Sequence, residues 1–381
     1  LPPLYIKNAK LVDNNNKPVI IHGTNWFGFN NGQTSVDGLW AGGTSAATDF
    51  STVIFQLKLL GFNAIRLPFT FSDLQKDVLD KRISCRVLTL EELYKRSRAK
   101  TRYPVPAGVS VTLSGNTCNT AMPNTGKTIN RFIWTIEQCV RNGMYVVIDY
   151  HGMGMESTPR SPSDFVQQWT KVWNAIKASP NFNRELDRRI IIDIFNEPDS
   201  MGLKWVHMSQ LYLGVMASTK YSLYMIEGTG QTAWNMNWGD GFVLDKAKIA
   251  KYNLDDPSVF FDNVGPFANK IIISPHVYGP SITRNKEAWY GYDLYERLQA
   301  SFGHFVGKYP ILIGEFGINF ADPKDAILMR DFSKWLKRRG ITNWLQWNYA
   351  QNGADTSNIA VNNWQDINWK VIDWLRANFG F

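Results

Sequence analysis

Eight short runs rich in β-branched and aromatic residues recur along this chain, separated by segments of helical period, and that alternation limits the fold more than any other feature. The runs fall at 19–25, 62–67, 144–150, 189–195, 222–227, 271–277, 310–314 and 342–347. Each is nearly continuously apolar rather than alternating, as expected of parallel strands covered on both faces. Between them the spacing predicts helices over 48–60, 128–142, 163–177, 204–219, 287–306, 323–339 and 368–378, several of them stopped by glycine (Gly61, Gly143, Gly340). The stretch 228–270 is the least helical. With no internal repeat and no linker, the order predicts one α/β domain over 1–381, a single (β/α)8 TIM barrel.

A barrel of this kind needs about 250 residues, and the chain has 381. The largest surplus is an insertion at about 71–127, after strand two. Eight Lys and Arg stand against Glu91 and Glu92 between Lys81 and Arg102, so much of the net charge of +8 sits in this one polar loop. A solvated basic face is the simpler reading, with an acidic polymer as the ligand if it binds anything. No recognised nucleic-acid motif accompanies the cluster. Cys85 and Cys118 lie in the same insertion; a bridge between them would suit an oxidising compartment, and two free thiols are the alternative. Cys139 falls on a helical stretch and reads as a small buried residue. The start at Leu1-Pro2-Pro3 looks like a processed end, which with the cysteine pair points to secretion. The longest apolar runs fall well short of the roughly 18 residues of a membrane span.

In such barrels chemistry is built where strands finish and the following loops begin. Polar and aromatic groups recur there: Asn25-Trp26, Arg66, His151, Asn196-Glu197-Pro198, His276 with Tyr278, Gly314-Glu315-Phe316-Gly317 and Trp347-Asn348. Glu197 and Glu315 are paired carboxyls of the type that cleave a glycosidic bond, one held protonated and the other ionised. Arg66 beside Glu315 would keep it charged, and burial would keep the proton on Glu197. Trp26, Trp40, Trp234, Trp238 and Trp364 fall in predicted loops, where an indole can stack on a pyranose face or fold back onto the barrel.

On these residues the sequence resembles glycoside hydrolase family 5, the retaining barrel glycosidases, over essentially the whole chain. The resemblance implies Glu197 as acid/base and Glu315 as nucleophile. It also implies Arg66 as the arginine contacting the nucleophile, His151 as the third-strand histidine and Asn196 at the sugar 2-hydroxyl. His276 and Tyr278 would be the sixth-strand pair, and Trp347 the platform under the sugar. The expected activity is endo-hydrolysis of a β-linked polysaccharide, foremost β-1,4-glucan (a cellulase). Mannan, xyloglucan and β-1,3-glucan are alternative substrates on the same scaffold, and a non-catalytic carbohydrate-binding barrel is the reading from another class. No cofactor or metal is required, and the expected protein is a secreted monomer whose partner is the polysaccharide, without nucleic acid or membrane.

Other motifs lead nowhere. Gly228-Thr229-Gly230-Gln231-Thr232-Ala233 fits a dinucleotide fingerprint but is not followed by a helical pattern. The five histidines show no zinc-ligand spacing, and no G-x-S-x-G is present.

Overall fold

A computed structural model describes residues 1–39, 50–80, 121–152, 161–234, 237–283, 291–351, 353, 356–362, 364 and 366–381. All eight predicted runs contain barrel strands. These are His22–Asn25, Ala64–Phe69, Tyr145–Tyr150, Ile190–Asp193, Tyr224–Ile226, Ile271–Ile273 continuing as His276–Val277, Leu312–Ile313 continuing as Glu315–Phe316, and Asn343–Gln346. Each pairs in parallel with its neighbour in sequence, and the eighth lies beside the first. The ring closes between strands six and seven through a bridge from Ile273 to Ile311 and a short ladder pairing Glu315 with His276 and Phe316 with Val277.

Strands six and seven are each interrupted once, and both breaks have a local cause. Pro275 has no N–H to give to a ladder. At Gly314 a Cβ would sit 2.4 Å from Ser274 Oγ and 2.9 Å from His276 Nε2, so only glycine lets the two strands approach.

The helices follow their apolar stripes. Thr128–Arg141 buries Phe132, Ile136, Cys139 and Val140, and Cys139 is a free thiol in the core. Ser161 caps Pro162–Lys177 by accepting the Asp164 N–H, Asp322 caps Pro323–Arg339, and Gly340 ends that helix at φ 67°. The helix expected over 287–306 ends early, at Ser301 of Gly291–Ser301, and a 3-10 turn follows at Gly303–Phe305; residues 287–290 lie outside the described residues. Among the described residues, the poorly helical 228–270 stretch holds only short pieces, the longest being Lys246–Tyr252. An N-terminal hairpin, Tyr5–Lys7 with Lys10–Val12, was not foreseen. Its turn puts Asn8 and Ala9 at φ 50° and 57°, a geometry usually announced by Asn-Gly rather than Asn-Ala.

The described segments on either side of residues 81–120 lie side by side. Asp77 bridges Lys127 in antiparallel fashion, and Val78 N–H bonds Gly126 O at 2.9 Å. Buried Arg131 ties this base down, donating to the carbonyls of Thr34, Leu79 and Pro123. The basic stretch 81–102, Cys85 and Cys118 lie outside the described residues.

Candidate active site

Arg66, in the middle of the second strand, has no exposed surface and organises the carboxyl end of the barrel. Its Nε donates to Asp193 at 2.9 Å. Nη1 donates to Asn25 Oδ1 at 2.9 Å and to Glu315 Oε1 at 2.6 Å. Nη2 donates to Asn196 Oδ1 at 2.8 Å and Glu227 Oε1 at 3.1 Å, and lies 3.2 Å from Asp149. One guanidinium therefore faces carboxylates from strands three, four, five and seven, a load that only several fixed donors in a fork can carry.

Glu315 is gripped on both oxygens, since Tyr278 Oη donates to its Oε2 at 2.8 Å. Burial by itself would raise this carboxyl. The charges of His276 and Arg66, with the Tyr278 hydrogen bond, outweigh it and hold the group below the usual carboxylate range. Glu197 behaves in the opposite way. Burial pushes it up, the Glu315 charge adds to the rise, and its contact with His276 offsets only part of that. His276 Nδ1 lies 2.9 Å from Glu197 Oε1 and 3.6 Å from Glu315 Oε2, while Nε2 is 3.1 Å from Glu227. Burial would lower that imidazole, but the surrounding carboxylates raise it well above the ordinary histidine value.

A carboxyl oxygen of Glu197 and one of Glu315 lie within 4.8 Å of each other. Retaining glycosidases hold their carboxyls about 5–5.5 Å apart and inverting ones about 6.5–9.5 Å, so this spacing suits direct attack with no water between. Glu197, His276 and Glu315 also form the one group among the described residues spaced to hold a metal ion. Its donor atoms already serve one another, Arg66 and Tyr278.

Glu197 has a left-handed backbone, φ 42° and ψ 61°, just before the turn Pro198–Met201. A side chain in that region costs about 1–2 kcal/mol, offset here by the 2.7 Å hydrogen bond from its N–H to Glu227 Oε2. Next to it, Asn196 Nδ2 is 3.4 Å from His151 Nε2, and His151 Nδ1 meets Asp149 at 2.7 Å. Trp347 is half-buried, with its ring nearly parallel to His151 (5.6 Å) and Phe27 (6.1 Å).

The structure thus brings together Arg66, His151, Asn196, Glu197, His276, Tyr278, Glu315 and Trp347. Three of the loop indoles are corrected. Trp26 is fully buried, stacks on Phe50 and donates to Asp37 O at 2.9 Å. Trp234 packs with Val243, Leu254 and Tyr252 beneath Arg297. Trp364 belongs to the main core against Tyr349. None of them presents a free face to a ligand. Trp238 remains half-buried on the loop whose Asn237 accepts the Tyr278 N–H at 2.8 Å, and Trp40 lies outside the described residues. Sequence reasoning also missed Asp149, Asp193, Glu227 and Phe27. The available signal was a single acid within each of three otherwise apolar strand runs.

A closed (β/α)8 barrel with two oppositely tuned, adjacent carboxyls at its strand ends has the build of a glycoside hydrolase. The sequence matches the family described as Cellulase (glycosyl hydrolase family 5) over residues 12–366. This chain belongs to that family. It is 25% identical to the major extracellular endoglucanase of Xanthomonas campestris pv. campestris, over 98% of this chain and 71% of that protein. The solved catalytic domain of the major endoglucanase from that organism superposes with a TM-score of 0.69 at 23% identity, covering 99% of this chain and all of that one. A cellotetraose complex of a Pyrococcus horikoshii endocellulase variant gives 0.68 at 20% identity, covering 99% and 98%. Both structural likenesses speak for the fold.

Proposed function

We propose that this glycoside hydrolase is a secreted endo-β-1,4-glucanase working by double displacement. The observation that carries the mechanism is the adjacency of Glu197 and Glu315, within 4.8 Å and with their acidities pushed in opposite directions. Glu315 attacks the anomeric carbon while Glu197 gives its proton to the departing glycosidic oxygen, leaving a glycosyl-enzyme ester. Water then attacks that carbon, Glu197 takes its proton, and Glu315 leaves as the carboxylate. Asn196, held through its oxygen by Arg66, would turn its amide nitrogen to the sugar 2-hydroxyl. Trp347 would form the floor beneath the ring being cleaved, with Phe27 and Trp238 extending the aromatic lining.

The glucan assignment draws on the endoglucanases of similar sequence and on the relative that binds cellotetraose. Secretion draws on the relative described as extracellular, and no helix among the described residues is long and apolar enough to cross a membrane. In this reading the protein acts as a monomer and its partner is a β-glucan. Reducing-end release from soluble cellulose, mannan, xyloglucan and β-1,3-glucan tests the substrate; fastest hydrolysis of anything but the β-1,4-glucan would replace it. Proton NMR during the first minutes should show the β-anomer of the new reducing end, and an initial α-anomer would exclude double displacement.

A further inference from the structure

Glu227 is fully buried at the end of the fifth strand, and its two carboxyl oxygens have different partners. Oε2 accepts the backbone N–H of Glu197 at 2.7 Å. Oε1 lies 3.1 Å from His276 Nε2 and accepts from Arg66 Nη2 at 3.1 Å. The other side of that imidazole, Nδ1, meets the Glu197 carboxyl at 2.9 Å. A single carboxylate therefore holds Glu197 twice, directly at the main chain and through His276 at the side chain.

The main-chain hold matters because Glu197 has the left-handed backbone that a side chain disfavours. Glu227 is itself pinned in place. Its carbonyl accepts the Tyr212 hydroxyl at 2.8 Å. Gly239, at φ 84°, closes over it so tightly that a Cβ there would lie 2.7 Å from Oε2.

We infer that Glu227 is the positioning residue of the proton donor, fixing both the backbone turn and the carboxyl orientation of Glu197. The inference rests on the acid/base reading of Glu197 and adds a group that acts through its neighbours. Glutamine at 227 would have the same shape but only one acceptor oxygen. Its amide nitrogen would have to face the Glu197 N–H or the Arg66 side, both donors, so one of the two holds is lost whichever way the amide turns.

Leaving-group dependence separates this role from a general structural one. Dinitrophenyl cellobioside departs without a proton, whereas phenyl cellobioside needs one. Rates are normalised to active sites titrated with a 2-deoxy-2-fluoro cellobioside, so an unfolded fraction drops out. For Glu227→Gln we expect kcat/KM on the phenyl substrate to fall about 30- to 100-fold, within the range of general-acid effects, and on the dinitrophenyl substrate to fall by no more than about threefold. Glu227→Asp, which keeps the charge but shortens the reach, should show the same ordering less strongly, and it decides the matter if the Gln variant does not fold. Equal losses on both substrates, or no loss on either, would overturn the proposal. Glu197→Ala is the control. If it shows the leaving-group preference and the Glu227 variants do not, only the positioning role falls. If it shows none, the acid/base reading of Glu197 falls, and the role of Glu227 with it.

Discussion

Arg66 Nη1 donates to Oε1 of Glu315 at 2.6 Å from a side chain with no exposed surface. The pair joins the second strand to the seventh across the barrel mouth, and together with the larger pull of His276 the Arg66 charge lowers a carboxyl that burial would raise. The first expectation follows from that carboxyl. Glu315→Gln should abolish turnover of β-glucan while leaving the fold and oligosaccharide binding largely intact, as judged by circular dichroism and calorimetric titration; wild-type-like rates would remove Glu315 as nucleophile.

The pH profile of kcat/KM should be bell-shaped, with limbs moved apart. Glu315 must be ionised, and its group is lowered by His276 and Arg66 against the effect of burial, so the acid limb falls below the usual carboxylate range. Glu197 must be protonated, and burial raises it, so the alkaline limb lies above that range. Glu197→Gln should remove the alkaline limb. A profile flat across both regions would contradict the carboxyl pair.

Tyr278→Phe deletes the hydrogen bond to Glu315 Oε2. A bond to a charged group contributes about 1.5–3 kcal/mol, so kcat should fall roughly 10- to 100-fold. The lost bond favoured the ionised form, so the acid limb should also move to higher pH. An unmoved limb would mean that the tyrosine supports binding alone.

Removing the buried cation should cost stability as well as activity. Arg66→Met leaves Asp149, Asp193, Glu227 and Glu315 without their shared partner. Breaking such a buried set costs about 3–5 kcal/mol. Burial already raises Asp193 and Glu227, and without the cation, which pulls both down, they stand further above their unfolded values. Stability is then kept at low pH and lost as pH rises through the raised folded values; Asp193, pushed up mainly by burial, stands at about 6 even with Arg66 present. Thermal melts should therefore show a larger deficit at pH 8 than at pH 5. An equal deficit at both would argue that the loss is one of packing.

Two indoles at strand ends, Trp26 read as a loop aromatic and Trp347 as the sugar platform, should separate by experiment. Trp26→Ala should destabilise the fold by about 3–5 kcal/mol, the usual cost of emptying a buried aromatic site, and leave the activity of the folded fraction close to normal. Trp347→Ala should raise KM and lower kcat with a much smaller change in melting temperature. The reverse pattern would move the platform from Trp347.

That contrast shows where sequence is informative. The eight strands were legible because β-branched and aromatic runs are short, continuous and separated by well-stopped helices. Glu197 and Glu315 were legible because each follows such a run within a recognisable short motif, Asn196-Glu197-Pro198 and Gly314-Glu315-Phe316-Gly317. Asp149, Asp193 and Glu227 were not, because one acid inside an apolar strand says nothing of where it points until the ring is closed around Arg66. The burial of Trp26, Trp234 and Trp364 was hidden for a related reason. An indole in a loop has the same neighbours in sequence whether it folds onto the barrel or faces a ligand, and only the path of the surrounding chain decides. The N-terminal hairpin escaped because Asn8-Ala9 makes with an alanine a turn that glycine normally marks.

His276 and Glu315 are partners in a main-chain ladder between the sixth and seventh strands, so their separation is set by backbone pairing rather than by any loop. On the proposed mechanism the nucleophile is in that sense part of the frame. Whatever selects the incoming sugar can be exchanged around it, and transplanting a foreign connection onto this barrel should change what is cut sooner than it changes how cutting is done.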